Sequence, residues 1–420
     1  MIAIRPLANL DAVVSLPGSK SLTQRAMAIA ALAQGESLLK NILVSDDTAI
    51  LAAALRTLGV EIRQRGTDLT IRGTCGAISG TGGKISLGNN GTALRLLAGI
   101  VSLGEGPFFL TGDKRLWERP LKPLLDALTS LGVKNHTQDE TGYPPVTIEG
   151  GGIRGGTVAL RDIGSSQYVS ALLIAAPYAD GEITIVLEGR IPSLPYIALT
   201  VETMDKFGVK VVSAGDNRYV VKSGQRYRGR EFTIESDVSS ASYFFLAAAL
   251  TKGRVSVNNI NPQTHQGDIG FLPLLESLGC TVLLGKSSVE LVGGEMPDGD
   301  MVFDMGEIPD IVPSLAVLCA RRKGRSVIRN VPHLRLKESD RIAALATELR
   351  KTGIHAEELP DGLVIEGGIP RGTRIETYND HRIAMSFAIL GLVAPGMEIE
   401  AEICVGKSFP GFWKTLEGLY

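Results

Sequence analysis

Six times along the 420-residue chain a helical pattern runs out at a glycine, and the glycines are almost evenly spaced. Gly59, Gly132, Gly208, Gly279, Gly353 and Gly418 follow one another at intervals of 65 to 76 residues. A glycine just past a helix supplies a left-handed C-terminal cap, and the apolar residue after it opens the next strand. The strings LGV, LGV, FGV, LGC and TGI around the first five fit that reading. A fold for this chain must therefore repeat one supersecondary unit six times.

Each unit has a polar or Gly-rich opening, a helix of small residues, a strand after a glycine, a second helix ending at the marker, and further strands. The first runs PGSKS, LTQRAMAIAALAQG, ESLLKNIL and DTAILAAALRTLGV; the second runs GNNGTALRLLAGIVSLG, GPFFLTG and PLKPLLDALTSLGV. The order is βαβαββ. Such units are longer than the repeats of about 20 to 50 residues that stack into solenoids, so they are expected to gather in threes around two cores. The break is expected near Glu235 to Asp237, with the first strand shared across it. Alanine in the first helices predicts close packing at each centre, because small side chains let helix axes approach.

Charged residues make up 21% and hydrophobic ones 44%, the balance of a globular protein. A net charge of -2 gives no general attraction for nucleic acid or an acidic membrane, so any anion site must be local. Cys75, Cys280, Cys319 and Cys404 are scattered, with no CxxC pair and no zinc spacing, so neither a disulfide framework nor a metal site is expected. The opening MIAIRPLANLDAVV lacks the layout of a secretion signal and no apolar run reaches spanning length, which predicts a cytoplasmic protein.

Polar chemistry collects at the openings of the first helices: Lys20, Ser21 and Arg25; Asn89, Asn90 and Gly91; Ser165, Ser166 and Gln167; Asp310; Asp380, His381 and Arg382. Helix N-termini offer unpaired N–H groups and a positive dipole end, and several facing one cleft would bind anions strongly. Taken singly, each Ser or Asp fits an N-cap. Lys and Arg there oppose the dipole and need another reason. In HLRLKESDR, a helix beginning near Lys337 would put Lys337 and Arg341 on one face with Glu338 a turn below Arg341. Two cations and a carboxylate so placed suit a phosphorylated ligand and a proton transfer, whereas the string alone also fits a solvated, salt-bridged first turn. PGSKS lacks the spacing of a Walker loop, and there is no GxSxG elbow.

Eight segments in order, LPGSKSLTQRA, LGNNGTALR, WERPLKPL, GSSQYVSALL, SLPYIALT, LRLKESDRI, YNDHRIAMSF and GKSFPGF, resemble the signatures of the 3-phosphoshikimate 1-carboxyvinyltransferase (5-enolpyruvylshikimate-3-phosphate synthase) family over nearly the whole chain. The resemblance implies a two-domain inside-out α/β barrel fold with three βαβαββ repeats per domain. One domain would be residues 19–235, the other 1–18 with 236–420, and the active site would lie in the cleft between them. The implied reaction moves the enolpyruvyl group of phosphoenolpyruvate to the 5-hydroxyl of shikimate 3-phosphate and releases phosphate through a tetrahedral intermediate.

By the same resemblance Lys20, Ser21, Arg25, Ser165, Ser166, Gln167, Ser193, Tyr196, Asp310 and Lys337 would hold shikimate 3-phosphate. Lys20, Gly91, Arg119, Gln167, Arg341, Arg382 and Lys407 would hold phosphoenolpyruvate. Asp310 would accept the hydroxyl proton, Glu338 would protonate the methylene, and Lys20 would stabilise developing charge. No metal, cofactor, nucleic acid or membrane partner is implied, and a monomer is expected. Two departures stand out: His333 replaces a common Asn, and NNGTALRLL carries Asn90 and Leu96 where the usual form reads NAGTAMRPL. Because glyphosate occupies the phosphoenolpyruvate site in this family, the second change is expected to weaken its inhibition. The alternatives are the related transferase acting on UDP-N-acetylglucosamine, whose GAKN-type opening and loop cysteine are not seen here, and a non-catalytic phosphosugar-binding protein on the same scaffold.

Overall fold

The computed structural model describes residues 1–79, 83–213, 215 and 217–420. They divide into two compact units. The central unit is Gly18–Ile234, and the split unit joins Met1–Pro17 to Glu235–Tyr420.

Six helices, one opening each repeat, are buried almost throughout: α1 (Lys20–Leu32), α2 (Gly91–Val101), α3 (Gln167–Ala175), α4 (Val238–Thr251), α5 (Val312–Arg321) and α6 (His381–Gly391). Their sequences explain this. Alanines 26, 28, 30 and 31 of α1 and 247 and 248 of α4 are wholly inaccessible to solvent. Short side chains there let each helix be surrounded by its neighbours. Polar residues start the helices because the first N–H groups need acceptors: Asn90 accepts from Ala93 N, Asp237 from Ser240 N and Asp380 from Arg382 N.

The strands form six open sheets outside these helices, three per unit, and the five four-stranded sheets share one order. The strand before the first helix pairs in parallel with the strand after it, as in Thr157↔Thr184 and Leu160↔Leu187. The last two strands add antiparallel, the fourth between the second and the third. Alternation along Gly156–Arg161, buried at Val158 and Leu160, shows one face on the core and one face in water. Helices inside and sheets outside make this a mixed α/β fold of the inside-out kind.

Each unit closes with a strand from the far end of its own chain. Glu231–Thr233 completes the first sheet of the central unit in parallel with Leu38–Lys40. In the split unit, Asp11–Val14 pairs in parallel with Arg254–Val257, and Ile2–Ala3 pairs antiparallel to Glu398–Ile399 in the small three-stranded sheet. These pairings, not sequence proximity, put the first 17 residues with the last 186. Two separate hydrophobic cores result, one per unit.

Five of the six marker glycines have φ between +85° and +90°, a conformation that a Cβ disfavours. Gly418 does not: its φ is -72°, an ordinary right-handed value.

Candidate active site

In the central unit α1 carries Lys20 and Arg25 at its opening, and the openings of α2 and α3 are polar and uncharged. Arg25, one turn into α1, is 1% exposed, and its guanidinium donates to Thr200 Oγ1 (2.8 Å), Ser21 O (3.1 Å) and Ser170 Oγ (3.4 Å). It lies over the Tyr196 ring at 5.5 Å. All these partners are neutral. Burial lowers the Arg25 pKa to about 10, with only Tyr196 acting the other way. Ser193, buried beside this group, has φ +58° and accepts from Tyr196 N, a backbone state that costs about 1–3 kcal/mol outside glycine.

Lys20 opens α1 and pairs with Asp47 Oδ2 at 3.3 Å. Asn90 ties the start of α2 to the same neighbourhood, donating to Gln24 Oε1 (3.0 Å) and Asp47 O (2.8 Å). Gly91 follows it, and a Cβ there would fall 2.4 Å from Arg119 Nη1. Only a residue without a side chain leaves the buried Arg119 guanidinium against the N-terminus of α2. At α3, Gln167 accepts from Arg95 Nη1 (2.7 Å), donates from its side chain to Thr92 Oγ1 (2.9 Å) and donates its backbone N–H to Ser165 Oγ (3.3 Å). Ser166 is the buried N-cap position.

In the split unit the charges are interlocked. Arg341, 1% exposed, donates from Nε to Asp380 Oδ2 (2.8 Å), from Nη1 to Asp310 Oδ1 (3.0 Å) and from Nη2 to Glu338 Oε2 (2.8 Å). Arg382 Nη2 reaches the other oxygen of Asp310 at 2.8 Å, and Lys337 Nζ stands 3.8 Å from Asp310. Burial works to raise the Asp310 carboxyl, but Arg382, Lys337 and Arg341 outweigh it and hold the group well below the usual carboxylate range. For Arg341, burial would lower the pKa, yet Asp380, Glu338 and Asp310 raise it. Arg382 Nη1 also meets the Tyr243 hydroxyl (3.4 Å), whose pKa burial pushes up to about 12 against both arginines. Lys407 ends the half-buried turn Glu402–Lys407, which packs on α6. His333 is buried in the short turn Pro332–Leu336.

One local expectation is corrected. The helix does not begin near Lys337; it spans Arg341–Lys351 with Asp340 as N-cap, its Oδ1 accepting from Ala343 N at 3.0 Å. Lys337 and Glu338 therefore sit in the turn before it, and the side-chain contacts with Asp310 and Arg341 join them, not an i,i+4 helical face. A carboxylate cap satisfies an orphan N–H, which a Lys at that position cannot do.

Several members of these clusters were not singled out in the sequence. Asp47 in SDDTAI reads as a helix opener, yet it is the counter-ion of Lys20. Arg95 lies mid-helix in α2, and Tyr243 meets the site through Arg382 rather than by motif. Asp268, 1% exposed, receives the Ser239 hydroxyl, and burial together with Asp310 pushes its pKa up to about 6 against Arg382 and Ser239.

A mixed α/β protein of two three-sheet units, with arginines, lysines and acids clustered around the starts of its central helices, fits the class of two-unit, inside-out α/β transferases. The chain is a member of the EPSP synthase (3-phosphoshikimate 1-carboxyvinyltransferase) family, whose model matches residues 4–416. It is 43% identical over 419 residues to the 3-phosphoshikimate 1-carboxyvinyltransferase of Syntrophobacter fumaroxidans, covering 99% of each chain. To the protein of that name from Methanoculleus marisnigri it is 39% identical, covering 100% of this chain and 99% of the other. Among solved structures it resembles an EPSP synthase from Acinetobacter baumannii with TM-score 0.81 and 29% identity, covering 99% of this chain and 97% of that one. Among the described residues no helix is long and apolar enough to cross a membrane.

Proposed function

We propose that this chain transfers the enolpyruvyl group of phosphoenolpyruvate to the 5-hydroxyl of 3-phosphoshikimate and releases phosphate, a step of aromatic amino acid biosynthesis. The observation that carries the reading is the bridge made by Asp310. One carboxylate, 20% exposed, spans two buried guanidinium groups, oxygen by oxygen, at 3.0 Å to Arg341 and 2.8 Å to Arg382. Two arginines that hold a protein carboxylate this way offer the same donors to the carboxylate of phosphoenolpyruvate.

The reading gives each group a task. Arg341, Arg382, Arg119, Lys407, Gly91 N–H and Lys20 hold phosphoenolpyruvate, and Gln167 reaches both substrates. Ser21, Arg25, Ser165, Ser166, Ser193, Tyr196 and Lys337 hold 3-phosphoshikimate. As an ion-paired carboxylate Asp310 is a weak base. When the incoming carboxylate takes over its arginine donors, Asp310 loses the cations that depress its pKa and becomes able to accept the 5-hydroxyl proton.

Glu338 gives a proton to the methylene carbon as the hydroxyl oxygen bonds to the adjacent carbon, forming the tetrahedral adduct. Elimination then breaks the carbon–oxygen bond to phosphate, which leaves with the proton held by Asp310, while Glu338, now a carboxylate, takes a methyl proton back and restores the alkene. Lys20 stabilises charge as these bonds change. The chain is expected to work as a cytoplasmic monomer. Phosphate release is measured with phosphoenolpyruvate and 3-phosphoshikimate, in parallel with UDP-N-acetylglucosamine as acceptor. Release with the shikimate ester alone is expected; release only with the UDP-sugar, or with neither, overturns the reading.

A further inference from the structure

Two consecutive residues before α6, Tyr378 and Asn379, have φ +52° and +54°. Asn tolerates this region; a bulky aromatic seldom occupies it, so the surrounding structure must hold it there. What the turn achieves is the placement of the next residue, Asp380. Wholly buried, Asp380 caps α6 and accepts from Arg341 Nε (2.8 Å), Ser339 Oγ (3.0 Å) and Arg382 N (2.9 Å).

The group that holds the turn lies two helical turns along from Arg341. Glu348 is 0% exposed, although it sits in the charged string TELRK. Its Oε2 accepts from Glu376 N at 3.1 Å, and its Oε1 accepts from the Tyr378 hydroxyl and Lys351 Nζ, each at 2.8 Å. Residues seven apart lie on one face of a helix. Arg341 and Glu348 therefore grip the segment Glu376–Asp380 at both ends from one helix face. Lys351, 38% exposed, answers the charge from the solvent side. A buried carboxylate is expensive unless its acceptors are filled, and here they are filled by the backbone and side chain of the strained turn.

We propose that Glu348 is a positioning residue for the anion-binding arginines. It fixes the left-handed turn that sets Asp380 against Arg341 and fixes the start of the helix carrying Arg382, and it touches no reacting atom. The proposal rests on the reading that Arg341 and Arg382 hold phosphoenolpyruvate.

The test compares Glu348→Ala, Glu348→Gln, Tyr378→Phe and Lys351→Ala with Arg382→Ala, in steady-state kinetics with each substrate varied and in thermal unfolding. Gln can still accept from Glu376 N and donate to the Tyr378 hydroxyl, so it should rescue much of what Ala loses. Misplacement of a binding group well under 1 Å is expected to raise KM for phosphoenolpyruvate about tenfold in Glu348→Ala and about threefold in Tyr378→Phe. KM for 3-phosphoshikimate should stay within about twofold, and Lys351→Ala should behave as the parent. If Glu348→Ala is too unstable to assay, Tyr378→Phe carries the test. An unchanged KM for phosphoenolpyruvate in the folded variants, or an equal rise for both substrates, overturns the proposal. If Arg382→Ala leaves that KM unchanged, the assignment of the arginines falls instead.

Discussion

Arg25 and Arg341 are both 1% exposed, both sit at the start of a helix, and they are held in opposite ways. Arg341 is clasped by Asp380, Asp310 and Glu338. Arg25 has a ring and three neutral oxygens, and among the described residues no carboxylate pairs with it. Buried charge in the split unit is compensated before any ligand arrives, whereas at Arg25 the central unit leaves a cation whose pKa is lowered to about 10. A displacement of that size corresponds to a disadvantage on the order of 3 kcal/mol for the charged form. That disadvantage is what an incoming phosphate would relieve. On the proposed reading the arginine with counter-ions would serve the fold and the site together, and the arginine without them would have little to offer the fold.

Removing the two side chains should separate these roles. Arg341→Met leaves three buried or half-buried acids without their common partner, and breaking a buried network from one side costs about 3–5 kcal/mol. Urea denaturation should show that loss, together with near-complete loss of turnover. A stability within about 1 kcal/mol of the parent would mean that the acids re-pair or protonate cheaply, and the contrast with Arg25 would vanish.

For Arg25→Met the expected stability change is within about 1 kcal/mol, in either direction. Its acceptors do not become orphans: Ser170 Oγ and Thr200 Oγ1 lie 2.8 Å apart, so one hydroxyl donates to the other, which in turn donates to a carbonyl of its own helix. KM for 3-phosphoshikimate should nevertheless rise about 100-fold, the loss of a charge-assisted contact to a phosphate. A variant that unfolds like Arg341→Met, or one that keeps normal KM, breaks the comparison.

What the sequence disclosed follows the same division. Backbone demands were legible: a glycine at 59, 132, 208, 279 or 353 is required by positive φ, so the repeat could be read from single letters. Gly418 looks identical in the sequence but takes an ordinary right-handed φ of -72°. Motif residues such as Lys20, Arg25 and Arg382 stood out because cations at helix starts are unfavourable without a purpose. Some of the carboxylates that pair or are buried did not stand out. Asp47 looks like an ordinary helix opener, and Glu348 looks like the polar face of a helix, because a carboxylate that is buried by tertiary pairing has the same local sequence as one in water. The Arg341 helix starts later than its charge pattern suggests because Asp340, not Lys337, can cap it.

The rule that the split unit neutralises its buried charge has its own exception in Asp268, and the smallest effect sharpens it. This carboxyl is held by the Ser239 hydroxyl, with Asp310, Arg382 and Asp237 as its charged neighbours, and its pKa rises from 3.8 to about 6. A raised carboxyl pKa means that between these values the folded state binds more protons than the unfolded one, so stability falls as pH rises. The contribution is intact below about pH 4 and is lost once pH has passed 6, by at most about 3 kcal/mol. Asp310 does not confuse this window, because its depressed carboxyl remains ionised through it. Asp268→Asn, which keeps an acceptor for Ser239, should therefore match the parent in urea at pH 4.5 more closely than at pH 8, where it should be more stable by about 1–2 kcal/mol. Equal stability differences at both pH values would mean that Asp268 is ionised in both, compensated by Arg382 like the other acids of its unit.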